Sequence, residues 1–119
     1  MSLSAFTDDI VIRQGATWRD SYTCQDSDGA AVDLSDCTAA MHVRASPTAR
    51  SPLLVLTPDN GGLAITGPEG LIVRTVADEA TALLPVGTWV YDLFITFPDG
   101  QAQCLAAGAF TVQARITQL

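Results

Sequence analysis

The reactive inventory of this chain is small: one histidine, three cysteines, thirteen carboxylates and six cations, all of them arginine. With no lysine, the chain lacks the phosphate-binding lysine of a P-loop and the amine of a Schiff-base enzyme. His42 sits in an alternating segment opposite Met41 and Val43, with no serine or cysteine nucleophile motif around it. It reads as a strand histidine rather than a general base. Cys24, Cys37 and Cys104 form no CxxC pair and are an odd set, so they read as reduced thiols packed like small apolar residues. Asp26-Ser-Asp28-Gly29 has the look of a calcium loop. Aligning Gly29 with the invariant glycine puts Cys24 and Ser35 where carboxylates are required, so an Asp-Gly turn is the better reading. Asp33 and Asp36 flank a strand start, and Asp78 and Glu79 suit the first turn of a helix. Asp59-Asn-Gly-Gly62 precedes no helix and reads as a hairpin turn rather than a phosphate loop. The expectation is a protein without catalytic residues, cofactor or metal.

Charge narrows the partners. A formal net charge of −7 repels phosphate, which argues against nucleic acid. No apolar run reaches the roughly 18 residues of a membrane helix. The first nine residues, Met1 to Asp9, have neither the basic nor the apolar region of a secretory signal. A cytoplasmic protein, or one that leaves the cell inside an assembly, is expected. At 119 residues and 48% apolar content the chain can bury one core, so residues 1–119 read as a single domain.

Short alternating segments separated by turn chemistry dominate the chain. Expected strands are 10–14, 17–24, 37–44, 53–57, 63–66, 71–75, 88–97, 101–107 and 109–116. In 17–24, Trp18, Tyr22 and Cys24 share a face on which Asp20 is out of place, which suggests a bulge or an edge position there. A capping box, with Thr75 as N-cap and Asp78 three residues on, predicts one short helix over 76–84, ended by Pro85 and Gly87. Seven to nine strands with turns about every 8–12 residues give an all-β, immunoglobulin-like β-sandwich.

The segment 88–97 is the most informative. Trp89, Tyr91, Leu93, Ile95 and Phe97 alternate with Thr88, Val90, Asp92, Phe94 and Thr96. The first set carries the apolar mass and is core. Phe94 stands on the other face, where a polar residue is expected. Either another part of the chain covers that face or it meets a partner, which makes Val90, Phe94 and Thr96 the candidate interface. Exposed edge strands are a second route to assembly.

Val11-Ile-Arg-Gln-Gly-Ala-Thr-Trp18, Val32-Asp-Leu-Ser35, Met41-His-Val-Arg44, Asn60-Gly-Gly-Leu-Ala-Ile65, Ala80-Thr-Ala-Leu-Leu-Pro-Val-Gly87, Val90-Tyr-Asp-Leu93 and Pro98-Asp-Gly100 follow one another in order. This succession resembles small structural proteins of tailed bacteriophages and prophages, similar to the N-terminal immunoglobulin-like domain of phage baseplate upper proteins. The resemblance spans nearly the whole chain. It implies a non-catalytic virion building block, made in the host bacterial cytoplasm. Such a block binds other phage virion proteins, as a homo-oligomer or within a symmetric assembly. The chain lacks the long C-terminal extension of baseplate upper proteins, which leaves baseplate, tail, neck and capsid surface open. The alternative is a carbohydrate- or receptor-binding sandwich in which Trp18, Tyr22, Trp89 and Tyr91 supply stacking surfaces. An enzyme or an assembly chaperone is a third reading.

Overall fold

A computed structural model describes residues 6–118; the first five residues of the N-terminal segment read above lie outside them. The described residues form nine strands: β1 (Phe6–Thr7), β2 (Ile10–Arg13), β3 (Trp18–Thr23), β4 (Thr38–Arg44), β5 (Leu54–Leu56), β6 (Leu63–Thr66), β7 (Leu71–Val76), β8 (Gly87–Thr96) and β9 (Ala102–Gln113). A front sheet runs β1-β9-β8-β4-β5, with β2 also paired to β9, and a back sheet runs β3-β7-β6. Both β1 and β2 pair with β9 in parallel, so they act as one N-terminal edge strand interrupted at Asp8 and Asp9. With β3, β7 and β6 in the B-E-D positions and β4, β8 and β9 in the C-F-G positions, this is the immunoglobulin-like sandwich.

Alternation builds the core. Met41 and Val43 of β4, Ile72 of β7, and Tyr91, Leu93 and Ile95 of β8 point between the sheets and are buried, along with Phe110 and Val112 of β9. The chain expected as two final strands forms one, β9. A β-bulge opposite Leu93 and Phe94 leaves Leu105 and Ala106 both buried. Gly108 follows because the kinked edge strand crosses closely there: a Cβ on it would lie 2.4 Å from the Asp8 carbonyl oxygen.

One local expectation is corrected and a second is met only in part. The helix α1 spans only Asp78–Thr81, and its N-cap is Ala77, which offers no side-chain cap. Thr75 and Val76 instead complete β7, paired with Arg19 and Trp18, because burying Val76 between the sheets outweighs the capping-box signal. Asp20 causes no bulge: β3 pairs with β7 without interruption from Trp18 to Thr23. β3 does lie at a sheet edge, but the reason for Asp20 is elsewhere, in Arg74.

Candidate interaction surface on the front sheet

The outer face of the front sheet is a ladder of four rows. Thr38 pairs with Thr96, Ala40 with Phe94, His42 with Asp92, and Arg44 with Val90, all between β4 and β8. On the other side of β8, Phe94 pairs with Cys104, Asp92 with Ala107 and Val90 with Ala109 of β9. Ala40 and Cys104 flank Phe94, while Val90 lies between Arg44 and Ala109. Phe94 is 41% exposed and Val90 39%, and Thr96 is half-buried. Of the two expectations for this face, cover by another part of the chain is not what the described residues provide.

Beside Val90 the surface dips into a groove of about 510 Å³, lined by His42, Arg44, Pro47, Asp92 and Ala107. Arg44 is held in place. Its Nη1 donates to the Ala49 carbonyl at 2.9 Å and its Nη2 reaches His42 Nδ1 at 2.9 Å. A guanidinium can only donate, so Nδ1 accepts and the imidazole proton sits on Nε2. The chemistry available is thus a cation, a ring N–H donor and the Asp92 carboxylate beside two apolar side chains. These groups fit recognition of a protein surface.

The distribution of charge reinforces this. Among the strands only Asp20 and Asp92 are acidic; the other carboxylates lie in turns, loops, a 3-10 turn at Gly67–Glu69 and α1. Several are engaged locally: the Asp26 carboxylate accepts the N–H groups of Asp28 and Ala30 in the Asp-Gly turn. Hydrogen bonds from Ser35 hold the Asp33 carboxyl below the usual range. The outer face of the front sheet therefore carries little of the molecule's negative charge.

The interior holds a group that the sequence reading counted only as a cation. Arg74 of β7 is 1% exposed between Ile72 and Val76. Its Nε and Nη2 grip Asp20 at 2.8 and 2.6 Å, and Nη2 also reaches Asp8 at 2.7 Å. Its guanidinium carbon lies 5.3 Å from the Trp18 ring centre, 5.5 Å from that of Tyr22 and 5.9 Å from that of Tyr91. The Tyr91 hydroxyl donates to the Asp8 main-chain carbonyl. Burial disfavours the Arg74 charge, but the bonds to Asp20 and Asp8 outweigh it and raise its pKa. Burial likewise pushes Tyr91 up to about 12. The cluster ties the back sheet to the front sheet and to the N-terminal edge strand.

Three of the four aromatic residues proposed as stacking surfaces therefore surround Arg74, and Trp89 packs against the core. Burial pushes the Cys24 thiol up to about 11, away from the thiolate, and all three cysteines are unpaired in disulfide terms. Among the described residues no three His, Cys, Asp or Glu side chains converge as a metal site would need. No helix of the described residues is long and apolar enough to cross a membrane. The clue to the Arg74 cluster was present in the sequence as Asp20 on an apolar face. Its partner lies 54 residues away and needs the strand register to be found.

No family model and no curated protein matches the chain. Among solved structures it is similar to the GspB Siglec domain, with 13% identity and a TM-score of 0.48; the match covers 90% of this chain and 54% of that one. The chain thus spans about half the length of that structure.

Proposed function

We propose that the chain is a non-catalytic structural protein of a tailed-bacteriophage particle. In this role it is an immunoglobulin-like block that holds neighbouring virion proteins through the outer face of its front sheet. Val90, Phe94 and Thr96 form the contact, with His42, Arg44 and Asp92 setting its polarity. The observation that carries the reading is Phe94: a large aromatic ring left 41% exposed between Ala40 and Cys104, on the central strand of the larger sheet. The resemblance of its ordered motifs to those of phage structural proteins is what supports this setting. The carbohydrate-binding alternative is not advanced, because Trp18, Tyr22 and Tyr91 already serve Arg74.

Mass spectrometry of purified particles from the phage or prophage encoding this chain tests the proposal. The chain is expected in finished particles at a fixed stoichiometry. Abundance in the producing cell together with absence from the particle would point to an assembly chaperone and remove the structural reading.

A further inference from the structure

We infer that the occupant of this face is a second copy of the same chain, related by a two-fold axis that runs parallel to the strands between β4 and β8. The inference rests on the reading of the face as a contact surface and adds its partner and geometry. An axis so placed exchanges β4 and β8 across the interface and keeps each row of the ladder in register. Every outward residue of β8 then meets the β4 residue of its own row in the second copy.

The rows fit each other. Phe94, the largest exposed side chain of the ladder, meets Ala40, its smallest. Asp92 meets His42, with Arg44 two residues along the same strand. Val90 meets the alkyl stem of Arg44, and Thr96 meets Thr38. Because each pair occurs twice, the surface is self-complementary, as an isologous contact requires. Charge also selects the axis. A two-fold axis crossing the strands at Asp92 would set that carboxylate against its own copy, whereas the parallel axis sets it against a ring N–H donor and a guanidinium. Two chains of net charge −7 repel each other over most of their surfaces. They do so least here, where one carboxylate faces His42 and Arg44. Aligned sheets pack with a twist of about 30°, so the central Phe94–Ala40 and Asp92–His42 rows hold the contact and the outer rows diverge.

Sedimentation equilibrium of the purified chain and two reciprocal variants tests this. The wild type is expected to show a monomer–dimer equilibrium. Phe94→Ala empties both seats and Ala40→Phe blocks both, so each raises the dimer dissociation constant by about tenfold or more. Mixing the two variants restores a heterodimer, since each seat then receives one ring and one methyl group. Circular dichroism melts verify that each variant is folded. Asp92→Arg, at an exposed position, provides a further variant that sets like charges against each other and weakens the dimer without touching the seat. A wild type monomeric up to about 1 mM overturns the inference, as does a dimer indifferent to these substitutions, or variants that weaken it without rescue on mixing. A monomeric chain still found in particles removes only the dimer; a dimeric chain absent from particles removes only the virion role.

Discussion

Strand β8 separates two places where the usual distribution of polarity is reversed. On its inner side Tyr91 reaches the Arg74 cluster, a buried charge. On its outer side Phe94 carries an aromatic ring into solvent. The first reversal is resolved within the chain: Arg74 has two carboxylates and three aromatic rings around it. The second has only Ala40 and Cys104 as its paired neighbours. Arg74 finds charged and aromatic partners, although its Nη1 has no hydrogen-bond partner among the described residues. Phe94 and Val90 lie uncovered on one sheet face, which makes that face the candidate contact. The contrast can be broken from either side.

The largest effect is expected at Arg74. Arg74→Ala empties a buried site among three rings and leaves two partly exposed carboxylates without their cation; it should cost about 2–4 kcal/mol, read as a shift in the urea midpoint. A loss below about 1 kcal/mol would mean the cluster does not hold the sheets together. Gly108→Ala comes next. Its new Cβ meets the Asp8 carbonyl oxygen at 2.4 Å and should push the edge strand off β9, at about 1–3 kcal/mol. Faster hydrogen exchange confined to residues 6–13 is the expected signature.

An alkaline titration probes the same region. The Tyr91 pKa is raised from its ordinary value of 10.0 to about 12 in the folded chain, and burial raises Tyr22 as well. Folded tyrosine therefore keeps its proton where the unfolded chain loses it. The contribution is complete below pH 10 and is lost as pH rises from about 10 to 12, on the order of 2 kcal/mol for Tyr91. Tyr91→Phe should flatten that slope. An unchanged slope would assign it to other groups.

Both reversals left traces in the sequence, but of different kinds. The period-two pattern of β8 alone placed Tyr91, Leu93 and Ile95 inside and Phe94 outside, because strand geometry needs no partner to be read. Asp20 announced an anomaly in β3, but its explanation depends on pairing with β7, a non-local fact. Thr75 and Val76 fit a helix start and a strand end equally well, and only the burial of Val76 decides between them. Gly108 looked like a break between two strands; it marks instead where the edge strand crosses a continuous one.

The smallest expected effect is the most direct test of the contrast. Phe94→Asp, measured by urea denaturation at protein concentrations dilute enough to be monomeric, should change the unfolding free energy by less than about 1 kcal/mol. Such a result places the ring outside the energetics of the fold and leaves it to a partner. A loss of about 3 kcal/mol or more, the cost of emptying a core phenylalanine site, would show that the outer face of the front sheet is part of the core and would contradict the account.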